Sequence, residues 1–293
     1  MKIYSGKHFN KDVYILENDQ LQVKVLKDFG AKVVSIYKKD LDFELLFQPS
    51  DKAYKEPNLG DDFEAYDRSG IDEMLPTIDS CFYPNSYKKL NDHGDLWTQK
   101  WDFEIREESL VSKVRCDSIK LDLERQITLD GDQVKFSYKL KNPTVQDHPY
   151  LWAFHALMTY SDQVEIDFGQ DGEILNVIDG KPYDFDYRNL DEYPDKNVYK
   201  FYFVDEIADG NVDIYYKKEK LKVQMNFTTD INKYLGFWLT KGGLKGEYNF
   251  ALEPASGYYD SLERAFKNNK FSKIASKEEK TWELTLTLRK END

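Results

Sequence analysis

Residues 121 to 140 alternate between apolar and polar positions almost without interruption. Leu121, Leu123, Ile127 and Leu129 are separated by polar residues, Asp130-Gly131 supplies a turn, and Val134, Phe136, Tyr138 and Leu140 alternate on the return. A period of two with that turn chemistry predicts a β-hairpin with one buried and one wet face. The same period recurs at Leu221, Val223, Met225 and Phe227, and at Trp282, Leu284, Leu286 and Leu288. Shorter apolar runs at 12–16, 21–26, 31–38 and 43–47, with Asn18-Asp19 and Phe29-Gly30 as turn signals, predict an N-terminal meander. Helical periodicity is scarce; residues 261–266 form the best candidate, a short surface turn of helix.

No internal repeat, low-complexity tract or Pro/Gly/Ser linker divides the 293 residues. The pattern therefore predicts a single mainly β domain spanning 1–293, a large antiparallel β-sandwich with few short helices. Residues 49–98 break the alternation with Pro49, Pro57, Pro76 and Pro84, three glycines and a cluster of acids. So long an irregular insertion is either a functional loop system or a solvent-facing excursion.

Composition narrows the possibilities. Hydrophobic residues make up 40% of the chain and aromatics 15%, enough for a large core and incompatible with bulk disorder. The 41 Lys and Arg stand against 54 Asp and Glu, a net charge of −13. Nucleic acid is an unsuitable partner, because binding it needs a concentrated basic face, and an anionic membrane surface is disfavoured likewise. Neither a signal-type apolar run at the N-terminus nor a stretch of ~20 apolar residues is present, so a cytoplasmic location is expected. Cys81 and Cys116 lie in no CxxC arrangement, which argues against structural zinc and a disulfide framework.

Four histidines can be weighed one by one. His8 sits among Lys7, Asn10 and Lys11 and reads as solvated. His93 precedes Gly94 inside the irregular stretch, where it is a turn residue or a site residue. His148 and His155 flank an aromatic run, and His155 lies in a mostly apolar strand, where an imidazole is either a satisfied core residue or, with a titratable partner, a catalyst. Glu253, in Phe250-Ala251-Leu252-Glu253-Pro254, is the candidate partner: removal from water tunes a carboxyl group for proton exchange, unless the strand end is wet. No Gly-x-Ser-x-Gly elbow, phosphate loop, His-Glu-x-x-His or dinucleotide fingerprint is present. The chemistry expected is acid–base work with no cofactor and no metal.

Several segments, in order, resemble the aldose 1-epimerase (galactose mutarotase) family. They are Gly70-Ile71-Asp72-Glu73-Met74-Leu75-Pro76 followed by His93-Gly94, then Tyr234-Leu235-Gly236-Phe237-Trp238, Asn249 through Gly257, Asp260-Ser261-Leu262 and Lys280-Thr281-Trp282. No one of these motifs is diagnostic, but their order and spacing cover the chain from about residue 10 to 289. The resemblance implies the mutarotase-like supersandwich and interconversion of the α and β anomers of an aldose. It implies Glu253 as base, a strand histidine as acid and His93 as a second imidazole at the ring oxygen. His148-Pro149-Tyr150 mimics the family's His-Pro-Tyr triplet, but counting from Asn142 and from Pro149-Tyr150 selects His155. Arg68, 25 residues before His93, matches a family arginine that contacts sugar hydroxyls, although its neighbours differ from the usual context. Asp72 and Glu73 are candidate acceptors for sugar hydroxyls or turn caps, and Trp152 and Trp238 are candidate apolar faces for a pyranose or core residues.

With only seven arginines, of which Arg68 alone falls in the irregular stretch, the chain is a poor trap for phosphate. A neutral monosaccharide is therefore the expected partner, for a monomer or homodimer. A hexose 6-phosphate mutarotase and a carbohydrate-binding protein without turnover are the alternatives.

Overall fold

The computed structural model describes residues 1–66 and 69–291. Two large antiparallel sheets, of eleven and eight strands, enclose one extensive apolar core. The predicted hairpin lies in the smaller sheet, where Leu121–Asp130 and Gln133–Lys141 pair in unbroken register. Glu279–Lys290 pairs with Gln133–Lys141 along one edge and Leu221–Phe227 along the other, so all the cleanly alternating segments are neighbours. Their apolar positions point inward, and each fully buried Leu, Phe or Val contributes about 1.5–3 kcal/mol.

The larger sheet runs Lys2–His8, Lys11–Glu17, Leu21–Leu26, Val33–Lys38, Gly70–Met74, Ala153–Thr159, Tyr248–Ala255, Tyr234–Lys241, Asn197–Phe203 and Ile174–Asn176, with Phe43–Glu44 paired to Val33–Lys38. The meander is present, although its last run shortens to the two residues Phe43–Glu44. The helix Leu262–Lys267 also forms where the periodicity places it. Ser261 caps it by accepting a hydrogen bond from the Arg264 N–H at 3.4 Å.

Two features depart from the sequence expectations. Gly70–Met74, inside the irregular stretch, is a central strand, and Asp72 and Glu73 hide its alternation because both are buried. It approaches its neighbour so closely that a Cβ at Gly70 would lie 2.4 Å from the Val33 carbonyl oxygen, and the glycine sits at φ 84°. His8 is buried, with Nε2 3.0 Å from Gln48 Oε1. Burial pushes its pKa down to about 4, aided by Lys24 and opposed by the Gln48 contact.

Candidate active site

Register decides which side chains of the larger sheet meet. His155 pairs with Asp72, and the flanking pairs Ala153 with Ala255 and Ala156 with Leu252 set His155 opposite Glu253. Glu253 pairs with Gly236, and Gly236 with Tyr202. Strand side chains alternate, so these positions form one row across five strands. Their neighbours Phe154, Leu252, Phe237 and Phe201 belong to the core between the sheets, which puts the row on the opposite, outer face. Trp238, paired with Lys200, stands one step along the same face.

Glu253 is 1% exposed, and its two oxygens have different surroundings. Oε2 lies 3.3 Å from Lys200 Nζ, whereas Oε1 has no hydrogen-bond partner among the described residues and faces His155 Nε2 at 3.8 Å. Lys200 Nζ is also 2.9 Å from Asp260 Oδ1, which accepts a 2.5 Å hydrogen bond from the Tyr202 hydroxyl. Burial works against the ammonium, but Asp260 and Glu253 overcome it and hold the lysine above its usual range. Gly236 permits this packing, since a Cβ there would stand 2.9 Å from Tyr202 ring atoms.

The irregular stretch covers this face. Phe63, opening the short helix Phe63–Tyr66, stacks on His93 with ring centroids 3.8 Å apart and meets His155 edge-on at 5.6 Å. The two imidazoles are thereby held with centroids 6.3 Å apart. His93 Nδ1 lies 3.0 Å from Asp92 Oδ1. Burial raises the Asp92 carboxyl, but His93 and the Phe63 N–H bring it below the usual range. The resulting cleft is about 410 Å³, and Trp238, Asn249, Asp79 and Arg264 complete its walls. Burial and the nearby Asp260 raise the Asp79 carboxyl.

Of the residues singled out from sequence, His155, His93 and Trp238 line the cleft, and Glu253 lies buried beside it, its Oε1 3.8 Å from His155 Nε2. Arg68 lies outside the described residues. Three expectations are corrected. Asp72 shares the face of His155, yet it is buried in an ion pair with Lys32 on the side of His155 away from Glu253. Glu73 points the other way, as the next residue of a strand must, into the core. There it accepts from Arg125 Nη1 at 3.1 Å, the Tyr138 hydroxyl at 2.9 Å and Trp152 Nε1 at 3.0 Å, so neither Glu73 nor Trp152 can meet a sugar. His148 is held away from the cleft by the Tyr83 and Thr144 hydroxyls, both at 3.0 Å. Sequence reasoning missed Lys200; the signal was a lone lysine within the run Val198-Tyr199-Lys200-Phe201-Tyr202-Phe203.

Among the described residues no group of three or more His, Cys, Asp or Glu could hold a metal ion, and no helix is long and apolar enough to cross a membrane. The architecture is the galactose mutarotase-like sandwich. A protein of Synechocystis sp. PCC 6803 superposes with a TM-score of 0.78 at 14% identity, covering 99% of this chain and 100% of its own. A protein of Escherichia coli K12, provisionally assigned as an aldose 1-epimerase, gives 0.73 at 15% identity over 94% and 98%. A galactose mutarotase-related enzyme of Lactobacillus acidophilus gives 0.68 at 14% over 96% and 98%. No family model and no curated protein matches the sequence.

Proposed function

We propose that this protein is a mutarotase for a neutral aldose. The observation that carries the reading is the buried Glu253, whose unpartnered Oε1 faces an imidazole on the adjacent strand at 3.8 Å. Anomer exchange needs that pair of groups. Glu253 removes the proton of the C1 hydroxyl while His155 delivers one to the ring oxygen, the C1–O5 bond opens, and a free aldehyde forms. Rotation about C1–C2 presents the other carbonyl face; the O5 hydroxyl then adds back to C1, returning its proton to His155 as Glu253 returns the other to O1. His93, stacked and anchored through Asp92, is the second imidazole at the ring oxygen. Asn249, whose buried amide oxygen has no partner among the described residues, supplies an acceptor for a sugar hydroxyl.

The charge of the cleft supports a neutral substrate over a phosphorylated one. Six carboxylates and three cations line it among the described residues. Lys200 is held by Glu253 and Asp260, Lys245 bonds the Glu64 carbonyl, and Arg264 donates to the Tyr259 hydroxyl at 3.1 Å, so among the described residues no arginine cluster awaits a phosphate. Relaxation of optical rotation in fresh α-glucose and α-galactose tests the proposal. Wild-type protein should accelerate it, and Glu253→Gln should lose about 10²–10⁴-fold of that acceleration. A Glu253→Gln protein as fast as wild type would remove Glu253 from its role.

A further inference from the structure

Lys200 is a half-buried cation placed against the reacting carboxylate and used by no step above. It comes from Asn197–Phe203, two strands from Glu253, with Tyr234–Lys241 between them. Its far side is fixed by Asp260, itself fixed by Tyr202, so the chain Tyr202–Asp260–Lys200–Glu253 ends on one carboxylate oxygen. We propose that Lys200 is a positioning residue for Glu253: pinned by Asp260, it engages Oε2 and leaves Oε1 as the single oxygen that takes the sugar proton. This deepens the mutarotase reading and rests on it for its kinetic consequence, though the lysine–carboxylate coupling itself does not.

The charged and titratable groups facing Glu253 come from every neighbouring element. His155 lies on the adjacent strand, Lys200 and Tyr202 lie beyond Gly236, and Asp260 follows in the chain. Asp79 and His93 come from the covering loops. Lys200 is the only fixed cation within 4 Å of the carboxylate among the described residues. An opposite charge at that distance attracts the carboxylate and fixes which of its oxygens is engaged. Removing it should demand a higher pH to ionise the base, which moves the acid limb of kcat/KM upward.

The experiment compares wild type, Lys200→Met, Lys200→Arg and Lys200→Gln by pH profiles of kcat and KM, and by 13C NMR titration of the Glu253 carboxyl, assigned by its loss in Glu253→Gln. Lys200→Met is expected to lower kcat about 10–10²-fold with little change in KM, and to raise both the acid limb and the NMR midpoint by about one unit. Lys200→Arg should recover most of both, and Lys200→Gln should match Lys200→Met. An unmoved NMR midpoint in Lys200→Met overturns the proposal, as does a change confined to KM, which would make the lysine a sugar contact. If Lys200→Met fails to fold, the midpoint of Lys200→Gln decides in its place: a rise supports the coupling and an unmoved value overturns it. Should wild type accelerate no sugar, the mutarotase reading fails while the NMR midpoint still judges the coupling.

Discussion

Two glutamates of the larger sheet, Glu73 and Glu253, are both almost wholly buried, and both lie beside a cation. Glu73 faces the core and uses both oxygens: Arg125 and Tyr138 bond Oε1, and Trp152 bonds Oε2. Glu253 faces outward and uses one, leaving Oε1 without a partner among the described residues. A buried carboxylate with both oxygens engaged braces two sheets; one left half-satisfied has an unmet cost that a ligand can relieve. The difference teaches where to look for chemistry in this molecule, since burial and a paired cation are common to both sites and only hydrogen-bond completeness separates them.

Exchanging the consequences of the two sites would break this comparison, and the effects expected are the largest available. Arg125→Met leaves Glu73 buried without its cation and should cost about 3–5 kcal/mol in urea denaturation, while the folded fraction keeps near-wild-type kcat. Glu253→Gln should do the reverse, abolishing most turnover with a stability change of no more than about 1 kcal/mol. If Glu253→Gln unfolds the protein and Arg125→Met silences it, the two roles have been assigned the wrong way round.

A histidine contrast of intermediate size sharpens the same point. His8 is buried away from the cleft with a pKa near 4, so below pH 6.5 the unfolded chain takes up a proton that the folded chain resists. Stability should fall as pH drops from 6.5 toward 4, by up to about 3 kcal/mol from this group. His8→Gln should flatten that slope without touching turnover, whereas His155→Gln should slow anomer exchange. Denaturant midpoints at pH 7 and pH 4.5 for wild type and His8→Gln measure the difference; equal slopes would mean that His8 gains no protection on folding.

The sandwich was legible because its best strands are wet on one face, which writes a period of two into residues 121–140 and 282–288. The row proposed to carry the chemistry was legible only in part. Glu253 and His155 stood out as polar residues in apolar runs, and the resemblance supplied their pairing. Asp72 and Glu73 were read together as loop acids, because a strand buried on both faces shows no alternation and Pro76 suggested a turn. Once Gly70–Met74 is known to be a strand, the two must face opposite ways, and one joins the His155 row while the other enters the core. Lys200 was illegible for another reason: its contact with Glu253 reaches across the intervening strand Tyr234–Lys241, a relation no local pattern encodes.

The smallest test uses two tryptophans that the sequence could not tell apart. Trp152 lies on the core side and donates to Glu73, so Trp152→Phe strands Oε2 and should cost about 1–3 kcal/mol of stability with KM unchanged. Trp238 lies on the outer face, paired with Lys200 along the cleft, so Trp238→Phe should shift stability by about 0.5 kcal/mol or less and raise KM for the sugar. Thermal melts and anomer-exchange kinetics on the two variants read both axes at once. A common effect on stability alone would mean that the outer face is a second packing surface; divergence along the two axes would show that alternation within one sheet separates what holds the protein together from what it acts with.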